Sequence, residues 1–191
     1  MSDWLRLLVV VLVIVDPLTA AVAGATLTAD RDRRARSIVF ATGTLVALAV
    51  VVVTAWLADP MLDALEVSVG AAQLAAGIVV LVPAVELLFG GPSGWVRPAP
   101  DAAPARVGAF PFGVPVLASP WLVVALLAFA ADEGAGMTAS AAALAMLVST
   151  GLAFMFTTPA DRGALRALGV AMGAATALVA FDLVHDGVFG S

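Results

Sequence analysis

Asp16-Pro17, Ser119-Pro120 and the group Asp182, His185 and Asp186 put ion-binding or proton-carrying side chains inside long apolar runs. A helix starting near Trp4 would bring Asp16 about 18 Å along its axis, close to the middle of a bilayer. An ionisable group at that depth costs several kcal/mol unless it is paired, protonated or hydrated. Pro17 removes a backbone donor and clashes with the turn before it. The pair therefore predicts a broken helix beside a polar cavity, with Thr19 adding a hydroxyl. A kinked packing helix carrying a protonated, hydrogen-bonded Asp16 is the plainer alternative.

A second proline-rich run points the same way. Pro111, Pro115 and Pro120 fall within one apolar segment, with Gly113 and Ser119 among them. A straight helix cannot hold three such residues, so a broken or re-entrant form is expected. The N-terminal end of a half-helix there would offer free N–H groups to a carboxylate. Trp121 is large enough to close one side of a cavity, although ordinary packing is its simpler role. Asp182 and His185 are three residues apart and fit a proton relay. Alternatively, Asp186 lies at an interface and leaves Asp182 and His185 as a local polar contact. Glu86, at the matching end of another apolar run, reads as a structural end-of-helix acid.

These residues sit in a chain built for lipid. Of 191 residues, 62% are hydrophobic and 12% charged, and the mean hydropathy is +1.09. Soluble domains are nearer half apolar and a quarter charged. Six apolar runs cover residues 4–24, 38–58, 67–89, 107–131, 137–157 and 165–189. Each is long enough at about 1.5 Å per residue to cross a core of about 30 Å. Backbone groups in lipid need internal partners, and the runs are too long and unalternating for barrel strands. The expected fold is an all-α membrane protein of six transmembrane helices, with helices 1 and 4 broken or kinked at Pro. Residues 7–15, with the small-residue sequence Ala21-Val22-Ala23 beyond, imitate a signal peptide. Asp3 offsets Arg6 ahead of that run, and Asp16-Pro17 suits no such core, so a retained helix is expected.

Several function classes are excluded or disfavoured. The chain has no Cys, hence no disulfide or thiolate metal site. Its net charge is −5 with scattered acids and no basic face, so nucleic acid is not a partner. There is no G-x-S-x-G, H-E-x-x-H or P-loop, and a single His, so it does not read as an enzyme. No metal or organic cofactor is implied, although coupling to H+ or Na+ is open. Trp4, Trp56 and Trp95 sit near segment ends as interfacial anchors do. Gly43, Gly70, Gly77, Gly151, Gly169 and Gly173 read as small residues that let helices approach.

Arginine placement orients the spans. Arg31, Arg33, Arg34, Arg36, Arg97, Arg106, Arg162 and Arg166 follow spans one, three and five, while Arg6 alone marks the other face. The positive-inside rule puts the Arg-rich loops in the cytoplasm and both termini outside a cytoplasmic membrane. The halves also echo one another. Asp16-Pro17-Leu18 corresponds to Ser119-Pro120-Trp121, Thr42-Gly43 to Thr150-Gly151, Gly70-Ala71-Ala72 to Gly169-Val170-Ala171, and Glu86 to Asp186. Three spans per half is odd, so the second half must enter from the opposite side. The single membrane domain, 1–191, divides into a three-helix repeat 1–91, a cytoplasmic Gly/Pro-rich connector 92–106, and an inverted repeat 107–191. Several secondary transporters are built as such a 3+3 inverted repeat and bind substrate where the repeats meet.

With these motifs in place, the chain resembles the MarC family, six-helix neutral amino acid transporters. Val15-Asp16-Pro17-Leu18 is similar to the family's first-helix motif, an Asn or Asp before Pro, and a similar basic loop follows. The run Phe110 to Pro120 resembles the proline-rich fourth-helix signature. Val85 to Gly90, Arg166 to Gly169 and Asp186 to Val188 resemble the ends of the third helix and the bounds of the last. Two departures stand out: Thr19 and Ala20 replace a Gly and an Asn, and Ser119 and Trp121 replace glycines flanking the fourth-helix proline. The resemblance implies a secondary transporter, exporter or exchanger, moving small neutral amino acids by alternating access. Asp16, Pro17, Thr19, Ser119, Pro120 and Trp121 are its expected substrate or ion site, with Asp182 and His185 as a proton relay. The expected partners are the lipid bilayer and a small-molecule substrate, and a homo-oligomer is allowed. The competing reading is a non-transporting membrane scaffold or partner subunit, or an exporter of another small solute. A side-chain-filled interface around Asp16 and Pro120 would favour the scaffold, and a polar pocket the transporter.

Overall fold

The computed structural model describes residues 3–89, 102–155 and 162–190. Trp95, Arg97, most of the 92–106 connector and the end of the 137–157 run lie outside them. Among the described residues the chain is all-helical. The helices are α1 (Asp3–Val15), α2 (Pro17–Leu27), α3 (Arg33–Ala64), α4 (Val69–Phe89), α5 (Pro104–Val107), α6 (Pro120–Glu133), α7 (Ala135–Met155) and α8 (Arg162–Phe189). Four of these, α3, α4, α7 and α8, are each long and apolar enough to cross a membrane alone. Two bent pairs are together long and apolar enough for a broken span or a re-entrant loop: α1 with α2 at 41°, and Pro104–Leu117 with α6 at 59°. With each pair as one span the described residues hold six.

The helices are longer where polar residues could extend them. α3 starts before the expected residue 38 because Asp32 caps it, accepting a hydrogen bond from the Ala35 N–H at 2.7 Å. It also runs through Pro60 to Ala64, where the loop to the next span was expected to begin. Between α6 and α7, the chain turns through Gly134, whose φ of 92° is a backbone shape that suits glycine. The outward surface is apolar: Leu45, Trp56, Leu178 and Phe181 are each more than 60% exposed. In water such a surface would be a liability; in a bilayer it faces lipid tails.

Helix packing here rests on close backbone approach, because burial adds little between helices already in lipid. α4 and α8 lie against each other along a glycine seam. A Cβ on Gly77 would meet the Ala180 carbonyl at 2.7 Å and the Val184 side chain at 2.7 Å. A Cβ on Gly173 would meet the Ala84 carbonyl at 3.1 Å and the Leu88 side chain at 3.0 Å. Each helix thus presents a glycine to the same pair of positions on the other. At one end of the seam, Gly70 and Gly187 face each other. Gly43 of α3 likewise fits against the Gly108 carbonyl and the Phe112 ring. Gly151 and Gly169 were expected to serve packing too, but a Cβ on either meets open space among the described residues.

Candidate functional site

The first break is built by Asp16 itself. Its φ of 52° and ψ of 81° put it in the left-handed region, which Asp and Asn tolerate better than other side chains. The chain leaves α1 there, and Pro17 opens α2 in the first helical position, where a missing N–H is harmless. The Asp16 carboxylate folds back over the new helix end. Its Oδ1 accepts from the Leu18 N–H at 3.2 Å and the Thr19 N–H at 3.3 Å. Its Oδ2 accepts from the Thr19 hydroxyl. At 7% exposure the carboxylate is buried.

The second break follows the same plan with a weaker cap. Gly108–Leu117 is irregular, with extended backbone at Phe110 and Val114. Ser119 then accepts from the Leu122 N–H at 3.4 Å, and Pro120 opens α6. Residue by residue, Asp16-Pro17 and Ser119-Pro120 do the same structural job. One expectation is altered by this. Of the N–H groups expected to be free at the start of the second half-helix, that of Leu122 is held by Ser119, as those of Leu18 and Thr19 are held by Asp16 at the first break.

A cavity of about 320 Å³ opens beside the first break. Ile14, Val15, Asp16 and Thr19 border it on one side, Pro83, Glu86 and Leu87 of α4 on another, and Thr176 of α8 on a third. Phe110, Pro111, Pro115, Val116 and Trp121 complete the lining. Glu86 and Phe110 are exposed and mark its rim. Among the described residues the lining carries two carboxylates, two threonine hydroxyls and no basic side chain. An ionised carboxylate offers about four acceptor sites, and Asp16 uses three of them on Leu18 and Thr19. One therefore remains for a proton, a cation, water or an ammonium group.

Asp16, Thr19 and Trp121 are thus brought to one cavity. Pro17, Ser119 and Pro120 shape the breaks but do not border it. Glu86 and Thr176 border it without having been singled out for binding. The echo of Glu86 in Asp186 marked the position, yet only the packing of α4 on α8 and α6 sets it at the cavity rim. Asp182 and His185 do not pair. Asp182 Oδ2 accepts from Arg6 Nη2 at 2.9 Å, tying α8 to α1. His185 Nδ1 is instead 3.5 Å from Asp186 Oδ1 and its side chain is mostly exposed.

A chain of this build has a known relation. The sequence pattern described as MarC family integral membrane protein matches residues 1–189. The chain belongs to the MarC family. It is accordingly an integral multi-pass membrane protein in contact with the lipid bilayer. No curated protein and no solved structure matches the chain. For this MarC protein, Asn or Asp ahead of the first proline has a physical reason. Both residues tolerate the left-handed backbone and both cap helix N-termini well. No group of three or more His, Asp or Glu residues able to hold a metal occurs among the described residues.

Proposed function

We propose that this MarC protein is a secondary transporter moving small neutral amino acids, or metabolites of that size, by alternating access. The observation that carries the reading is the cavity beside Asp16, bordered by a carboxylate at a broken helix rather than filled with side chains. Its volume is at the lower end of the range of about 300–1,000 Å³ for ligand pockets, which suits a small solute. In this reading the substrate ammonium takes the remaining acceptor site of Asp16. The substrate carboxylate faces the start of α6, where the Trp121 N–H has no acceptor among the described residues. The positive end of that helix favours an anion. A coupling H+ or Na+ competes with the ammonium for that one site of Asp16, so the two occupy it in alternation.

The same reading includes a 3+3 inverted repeat, with the Arg-rich loops in the cytoplasm and both termini outside. Two observations support the repeat: the matching caps at Asp16 and Ser119, and the reciprocal glycine contacts of α4 and α8. A filled core around the breaks would have favoured the scaffold reading. The test is counterflow of radiolabelled alanine in proteoliposomes, with a panel of amino acids as competitors. Uptake above protein-free vesicles that unlabelled neutral amino acids abolish is the expected result. Absence of counterflow for every amino acid tried refutes the assignment.

A further inference from the structure

Away from the basic loops, three polar contacts among the described residues tie the spans together. Arg6 of α1 donates to Asp182 of α8 at 2.9 Å. Gln73 of α4 donates to Asp132 of α6 at 3.2 Å. Trp4 of α1 donates to Ser140 of α7 at 3.0 Å. The first two of these contacts border a second, smaller cavity of about 50 Å³. That is room for water but not for a metabolite.

The two cavities are in line. α1 gives Leu7 and Val10 to the small one and Ile14 to the large one. α8 gives Leu183 and Val179 to the small one and Thr176 to the large one. Steps of three and four residues keep each set on one helix face. The facing stripes of α1 and α8 therefore run from the Asp16 cavity to the Arg6–Asp182 pair, interrupted only by apolar side chains.

We infer that the space between α1 and α8 is the path of the solute, and that Arg6 and Asp182 form its gate on the face away from the basic loops. This rests on the transport reading above. The structure is then the state closed at that gate, with the Asp16 cavity open at the Glu86 and Phe110 rim. The strength of the pair suits the task. Both side chains are more than half exposed, and an exposed ion pair shifts an equilibrium by at most about fivefold. A gate that must open in each cycle needs a closure of that modest size. The apolar side chains of Leu7, Val10, Val179 and Leu183, which line the small cavity, supply the rest of the seal.

The natural absence of cysteine makes single-cysteine reporters clean. Val10→Cys reports on the closed side and Leu87→Cys on the open rim, each labelled with a water-soluble maleimide in nanodiscs. Adding Asp182→Asn or Arg6→Gln is expected to raise the Val10→Cys rate by about two- to fivefold, without raising that of Leu87→Cys. The charge-swapped Arg6→Asp/Asp182→Arg protein is expected to return the rate to the parent value. An unchanged Val10→Cys rate in both single variants overturns the gate, and so does a rise at both reporters, which means general loosening. Two single variants keep the test decisive if either fails to fold. Labelling needs no substrate, so it is independent of alanine counterflow measured on the same proteins. Counterflow with unchanged labelling overturns the gate alone; reciprocal labelling without counterflow overturns the transport reading alone.

Discussion

Replacing Asp16 separates its structural role from its charge. In Asp16→Ala, the Leu18 and Thr19 amides and the Thr19 hydroxyl all lose their acceptor inside the membrane. Loss of an N-cap costs about 1–2 kcal/mol, and an alanine held at a left-handed φ adds about 1 kcal/mol. The expected loss is about 2–3 kcal/mol of stability. Asp16→Asn keeps both the cap and the backbone preference, so its stability stays within about 0.5 kcal/mol of the parent. It removes the charge that a cation, proton or ammonium would meet in the cavity. Thermal denaturation in detergent is therefore expected to rank the parent and Asn forms together and well above Ala. Alanine counterflow is expected to place Asn with Ala, impaired or uncoupled from pH. Exchange in Asp16→Asn at the parent rate and with the parent pH dependence would refute the binding role of the carboxylate. An Asn form as unstable as the Ala form would refute the capping argument.

Two further sets of variants address packing and pocket size. Gly77→Val puts a side chain where the Ala180 carbonyl and the Val184 amide already stand within 3 Å of a Cβ. It should cost several kcal/mol and show as loss of monodisperse protein in size-exclusion chromatography. Gly151→Ala meets open space inside α7 and should raise the melting temperature, through a gain of up to about 1 kcal/mol. Trp121→Ala enlarges the wall of the Asp16 cavity. Bulkier neutral amino acids should then compete in alanine counterflow about tenfold better than before, while unchanged competition would place the indole outside the binding volume.

The all-helical membrane fold was legible because crossing a membrane is a matter of composition over some twenty residues. The breaks were legible because Pro17 and Pro120 act on their own backbone, whatever surrounds them. The capping role of Asp16 could have been read too, since Asp before an N1 proline is a helix-start signal. An ionisable group at mid-membrane drew attention to ligand chemistry instead. Glu86 was a different case. Nothing in its own segment says which neighbour it meets, and only the packing of α4 on α8 and α6 fixes the face it turns to the Asp16 cavity. The Arg6–Asp182 pair was likewise out of reach, because it joins residues whose local sequences give no sign of each other. Asp182 and His185, adjacent on one helix, suggested a pair that tertiary structure did not use.

That long-range pair has a consequence for how the protein is made. Arg6 and Asp182 are 176 positions apart, so the ion pair cannot exist until the sixth span has reached the bilayer. Until then the first span carries its arginine without that hydrogen-bonded partner, at the end that lacks the basic loops. Arrival of the sixth span completes the arrangement, and the joining of α1 to α8 becomes a marker of finished assembly.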